Sequence, residues 1–98
     1  MSKINLNETA KALPHAWKSS IVGATGAGNF KVLRMDKTPY PDEQHDFSEA
    51  LLVLEGQLNL SIDNSVVCVQ AGEVFIVPSG VPHAVAAGSH GTLVIIDK

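Results

Sequence analysis

Gly72-Glu73-Val74-Phe75-Ile76-Val77-Pro78-Ser79-Gly80-Val81-Pro82-His83 is an apolar run bracketed by turn residues and closed by a histidine. Val74 to Val77 are β-branched or aromatic, the composition of a strand, and Pro78 ends it. Gly72 and Gly80 supply positions free to take positive φ. A second frame lies upstream, Glu43-Gln44-His45-Asp46-Phe47-Ser48-Glu49, closed by Gly56. Neither frame has the spacing of a helical metal motif or the composition of a catalytic triad. Both sit in valine- and leucine-rich sequence, so strands and turns are expected to bring imidazoles and carboxylates into one pocket.

Working outward, the pattern predicts strands almost throughout. Ala50 to Leu54 reads as a buried strand turned by Glu55-Gly56, and Leu58, Leu60 and Ile62 then alternate with polar neighbours. Asp63-Asn64 is a tight turn before a strand over Val66 to Val69. His83 to Ala86 and Thr92 to Ile96 complete the C-terminal half. Upstream, Asn7 is expected to cap a short helix over Glu8 to Leu13, with Pro14 stopping it. Trp17 to Val22 reads as a strand, Gly23 to Gly28 as a flexible hairpin loop, and Phe30 to Arg34 as the next strand, ending at Thr38-Pro39-Tyr40-Pro41. Seven or eight short strands predict an all-β fold, a small antiparallel barrel or sandwich. Its expected core includes Val53, Leu58, Leu60, Val74, Ile76 and Val94.

Composition narrows the function. A chain of 98 residues is read as a single domain over 1–98. It would bury only about 60–65% of its unfolded surface, which makes a lone monomer marginal. The 45% hydrophobic content is that of a globular chain, and no apolar run approaches the roughly 20 residues of a membrane span. Met1-Ser2-Lys3-Ile4-Asn5 lacks the apolar core of a secretory signal, and the lone Cys68 rules out an internal disulfide; both suit a cytoplasmic protein. Val66, Val67 and Val69 around Cys68 read as burial of an inert thiol. The net charge is −3 and the basic residues are scattered, so no stripe exists to neutralise nucleic-acid phosphates. Arg34 is the only arginine, which disfavours substrates that need several guanidiniums. Asp42, Glu43, Asp46 and Glu49 crowd around His45, either as a solvated acidic loop or as the surroundings of a cation.

With these residues placed, the two frames resemble the paired motifs of the cupin family. The first cupin motif reads G-x5-H-x-H-x3,4-E-x6-G; His45, Glu49 and Gly56 stand at its second His, its Glu and its closing Gly. The second reads G-x5-P-x-G-x2-H-x3-N, which Gly72, Pro78, Gly80 and His83 match without a gap. The resemblance spans residues 37–87 and implies a cupin barrel, also called a double-stranded β-helix or jelly roll. Three positions depart from it: Lys37 replaces the opening Gly, Glu43 the first His, and Ala87 the terminal Asn.

The resemblance implies one divalent transition metal, Mn, Fe, Ni or Zn, held by His45, Glu49 and His83 with Glu43 as a candidate fourth ligand. Two imidazoles and a carboxylate suit such ions. The alternative for each histidine is a barrel-mouth residue bonded to Glu49. Glu43, His45 and Glu49 share odd parity and face one side if their strand is continuous; a loop would break that argument. His15 and His90 read as surface-loop residues, and Trp17, Tyr40, Phe47 and Phe75 as core or interface. The family hosts oxygenases, isomerases and related enzymes as well as non-catalytic ligand-binding and sensor barrels, and no residue here selects among them. Expected partners are a small molecule in the barrel and a second copy of the chain, with residues 1–28, around Trp17, at the dimer interface.

Overall fold

The computed structural model describes residues 3–98. Met1 and Ser2, which open the segment read above for a leader, lie outside them. The described residues form one helix and eight strands: α1 (Leu6–Ala12), β1 (Ser20–Thr25), β2 (Gly28–Met35), β3 (Tyr40–Glu43), β4 (Glu49–Ile62), β5 (Ser65–Gln70), β6 (Val74–Val77), β7 (His83–Val85) and β8 (His90–Asp97). Every strand pairing is antiparallel, in the order β1-β2-β8-β4-β7-β3, with β5 and β6 also paired to β4. The expected all-β antiparallel architecture is therefore present, as one sheet curled on itself.

Strand β4 organises the molecule. Its first half pairs with β6 and β8, and its second half with β5 and β7. The turn expected at Glu55-Gly56 is absent; the chain instead bends there and continues. The register against β8 slips between Val53 and Glu55, and Gly56 takes φ +80° opposite Gly91 at φ +100°. A Cβ at Gly56 would collide with the His90 carbonyl, and one at Gly91 with the Glu55 carbonyl. Two facing glycines thus let the strands cross closely where the sheet curls.

The inward face of the sheet carries the core: Leu33, Met35, Leu51, Val53, Leu58, Leu60 and Leu93 are all buried. Burying each large aliphatic side chain contributes about 1.5–3 kcal/mol. A second cluster forms outside the curl, where Ala10 of α1 packs on Val32 and Val94. Both faces of β2 are consequently covered, so Val32 and Leu33, which point to opposite faces, are both buried. Val74 and Ile76, expected in the core, are instead 53% and 55% exposed, while Val77 is buried. The period-two expectation was correct there, but the parity was inverted, because an apolar run carries no mark of which face turns inward. The same alternation exposes Cys68, expected to be buried, and buries Val69.

The N-terminal third differs most from expectation. Asn5, not Asn7, caps the helix: its Oδ1 accepts from the Glu8 N–H at 3.0 Å, three residues on, the reach an N-cap side chain has. Trp17 lies in a turn at φ +66°, so the strand expected from Trp17 begins at Ser20. The expected Gly23–Gly28 loop is mostly strand, turned tightly between Thr25 and Gly28. Past Met35, Tyr40 to Glu43 adds the short edge strand β3, where Pro41 is tolerated because only Tyr40 and Glu43 pair. The expected Asp63-Asn64 turn is present, both residues at positive φ as a type I′ hairpin requires.

Candidate metal centre

Three strands and one loop carry the four residues. Glu43 ends β3 directly opposite His83, which opens β7. His45 lies in the loop between β3 and β4, and Glu49 begins β4. The loop breaks the continuous strand on which the parity argument rested, yet the side chains still converge. What fixes His45 is the second frame: the Gly80 N–H donates to the His45 carbonyl at 2.7 Å. Phe47 stacks on the His45 ring at 5.0 Å between centroids.

His83 Nε2 stands 3.3 Å from Glu49 Oε1, and His45 Nε2 stands 3.9 Å from Glu49 Oε2 and 3.8 Å from Glu43 Oε2. Glu43, His45 and His83 each offer a ligand atom within 4.8 Å of the others, a group that takes in the candidate fourth ligand Glu43 and leaves out Glu49, which instead meets the two histidines pairwise. Two ligands on one ion at bonds of about 2.1 Å lie about 3.0–3.4 Å apart at tetrahedral or octahedral angles. The observed separations match that spacing at the His83–Glu49 pair and exceed it by about half an ångström at the two His45 contacts. Burial is graded: the Glu49 and His83 side chains are 7% and 6% exposed, against 31% for His45 and 43% for Glu43.

The proton inventory tests whether a cation fits. His83 Nδ1 lies 3.0 Å from the Val81 carbonyl, which only accepts, so Nδ1 carries the proton of the neutral ring. Nε2 then points a lone pair at the Glu49 carboxylate. Two buried lone pairs at 3.3 Å repel unless a proton or a metal ion lies between them. Burial pushes the Glu49 carboxyl above its ordinary pKa, further helped by Asp97 and Glu43, while His45 and His83 pull it down. The donor set, two imidazoles and two carboxylates, suits a first-row divalent ion.

These residues face a cavity of about 530 Å³, within the size range of small-molecule sites. Leu51, Leu58, Leu60, Val85 and Leu93 make its apolar wall. Trp17 and Tyr40 flank it with ring centroids 5.7 Å apart, and the Trp17 indole N–H donates to Asp36 Oδ1 at 2.9 Å. Trp17 therefore packs into the barrel of its own chain. Lys31 and Asp97 also line the cavity, and sequence reasoning missed both. Their signal was parity: Lys31 precedes inward Leu33 by two, and Asp97 follows inward Ile95 by two. Arg34, in contrast, donates to the Ala10 and Leu13 carbonyls at the end of α1, away from the cavity lining. His90 is exposed.

The cupin domain profile (Cupin_2) matches residues 34–97, about two-thirds of the chain. The protein belongs to the cupin domain family. Solved structures agree in fold over nearly the whole chain. A cupin-2 domain containing protein from Shewanella frigidimarina is 26% identical, covering 95% of this chain and 91% of that one at a TM-score of 0.85. A protein from Neisseria meningitidis is 23% identical, with 98% of each chain covered at a TM-score of 0.82. The EutQ protein of Clostridium difficile is 17% identical, covering 81% of this chain and 64% of that one at a TM-score of 0.71. No curated protein matches the sequence. Among the described residues, no helix is long and apolar enough to cross a membrane.

Proposed function

We propose that the protein binds one divalent transition-metal ion through His45, Glu49 and His83, with Glu43 as the fourth ligand, and that the ion and the cavity together bind a small molecule. The reading is carried by His83: its Nδ1 is committed to the Val81 carbonyl, so its Nε2 lone pair faces the buried Glu49 carboxylate at 3.3 Å, two donors that a shared cation would satisfy. Such an ion would supply a Lewis acid and a place for an oxygen donor of the ligand. Two carboxylates offset the charge of the ion, so Mn or Fe suits the site as well as Zn or Ni. The protein's own contribution is orientation: Val81 fixes the His83 ring and Phe47 the His45 ring, beside an apolar wall for the hydrocarbon part of a ligand.

Elemental analysis of protein purified without a histidine tag tests the reading. It expects close to one equivalent of metal per chain, lost in His83→Ala. Wild-type protein that takes up no Mn, Fe, Ni or Zn from any of their salts sinks it.

We infer also that two copies associate through the outer face of the sheet. Ile96, Ala50 and Ile76 form one cross-strand row, and Leu52 and Val74 continue the next beyond Val94, which α1 already covers. The rows contain no charge, and Val74, Ile76 and Ile96 are 53%, 55% and 37% exposed. An uncharged apolar face is complementary to itself across a twofold axis, and covering it would enlarge the small core of a 98-residue chain.

A further inference from the structure

We propose that Lys31 and Asp97 form a second polar subsite in the barrel cavity, which recognises an uncharged oxygen group, a hydroxyl or a carbonyl, on the molecule held at the metal centre. This deepens the proposed function and rests on it for the other end of the ligand. Lys31 sits on the inward face of β2, opposite Ile95, and Asp97 ends β8 opposite Asn29, so the pair runs diagonally between adjacent strands. Lys31 Nζ lies 2.8 Å from Asp97 Oδ1 and 3.0 Å from Oδ2. Only the contact to Oδ2 has hydrogen-bond geometry; Oδ1 is closer but off line, fully buried and without a directed donor. An ammonium has three N–H groups, and the carboxylate takes one of them in a directed bond. The Lys31 side chain remains 21% exposed and lines the cavity, so its other donors are available to a ligand there.

The subsite and the metal centre are neighbours. Asp97 follows Ile96, the β8 partner of Ala50, and therefore comes beside Glu49 at the start of β4. One cavity thus holds the four candidate ligands and, across the adjacent strands, a lysine donor in the same row as Leu51 and Ile95, which give the cavity an apolar floor there. A small molecule with two oxygen functions separated by a short hydrocarbon span satisfies both ends. Charge decides the class. Glu43, Glu49 and Asp97 bring three negative charges, which Lys31 and a divalent ion balance. Asp97 already neutralises Lys31, so a carboxylate or phosphate on the ligand would enter a balanced, largely buried site without a counter-charge, which is costly. Lys18 at the rim is exposed, and water screens it. An uncharged hydroxyketone-like molecule fits, and its anionic counterpart does not.

The alternative is that the ion pair only fastens β2 to β8. The test titrates the Zn-loaded and metal-free protein with α-hydroxyketones of four to eight carbons and with the matched α-hydroxycarboxylates, following amide shifts by NMR. The wild type is expected to bind the hydroxyketones more tightly. Lys31→Met is expected to weaken that binding roughly tenfold, the size of a lost hydrogen bond from a charged donor, with metal stoichiometry unchanged. A Lys31→Met/Asp97→Asn double variant, which leaves neither charge unpaired, is expected to show the same loss if Lys31→Met alone folds poorly. Unchanged hydroxyketone affinity in the folded variants, tighter binding of the hydroxycarboxylates by wild type, or no binding of any hydroxyketone overturns the subsite. Failure of wild type to load Zn or any other metal refutes the metal centre instead, and the loss of affinity on removing Lys31 is then read in the metal-free titrations.

Discussion

The Gly80 N–H and the His45 carbonyl meet at 2.7 Å, and through that one hydrogen bond the turn of the second motif holds the loop of the first. Gly80 takes φ +80°, a conformation that costs a side-chain-bearing residue about 1–2 kcal/mol, although no atom lies where its Cβ would go. Gly80→Ala is therefore expected to destabilise the fold by about 1 kcal/mol through strain alone. If the turn also positions His45, metal affinity falls by a further factor of roughly ten, as for other outer partners of metal ligands. Calorimetric titration with Mn alongside thermal melting separates the two effects. Equal metal affinity in the variant removes Gly80 from the support of the site.

Glu49 and His83 are predicted to differ in what their loss does to the metal-free protein. His83→Ala leaves the buried Glu49 carboxylate without its nearest partner and is expected to lower both stability and metal uptake. Glu49→Gln removes a buried charge, so the metal-free protein is expected to melt higher while metal affinity drops by more than about 100-fold, beyond the loss of an outer partner. A lower melting temperature for metal-free Glu49→Gln would mean that the ionised carboxylate stabilises the empty site.

The raised pKa of Glu49 predicts a pH dependence of defined sign. Burial keeps its proton on in the folded state to a higher pH than in the unfolded chain, where a glutamate titrates at about 4.3. Folded protein then binds the extra proton, and stability falls as pH rises from the unfolded value through the folded one. Metal-free melting temperatures are thus expected to decline over that window, and to decline less in Glu49→Gln. A bound cation replaces the proton, so the thermal shift caused by Mn should grow with pH. Identical pH profiles for wild type and Glu49→Gln would contradict the assignment.

Glu43 is the most exposed of the four residues and lies directly opposite His83. Glu43→His is expected to tighten Ni and Zn relative to Mn, because imidazole suits borderline ions better than a carboxylate does. Competition between the metals gives the ratio directly; an unchanged ratio would place Glu43 outside the coordination sphere.

Ile76→Asp places a charge on the more exposed end of the apolar rows, on β6, and is expected to halve the mass seen by light scattering at micromolar concentration. The side chain is more than half exposed in the single chain, so folding and metal content should not change. A wild-type mass of one chain refutes the dimer.

The strands from β4 onward were legible because alternation, glycines and prolines are local signals: Leu58, Leu60 and Ile62 turned inward, and Asp63-Asn64 made the hairpin. Motif spacing likewise singled out His45, Glu49 and His83, although not the route by which they meet. What remained for the tertiary structure were choices that local sequence leaves balanced. Val74 to Val77 is apolar at every position, so only pairing with Glu49 to Leu52 decided that Phe75 and Val77 face in and Val74 and Ile76 face out. Glu55-Gly56 carries a turn signal, and only the facing Gly91 made it a bend within one long strand. Lys31 and Asp97, sixty-six residues apart, became neighbours because β2 and β8 pair in one register. Local conformation follows from each residue's own sterics and polarity. Facing, bending and the meeting of distant charges depend on which strand lies alongside, and that was settled only when the whole sheet closed.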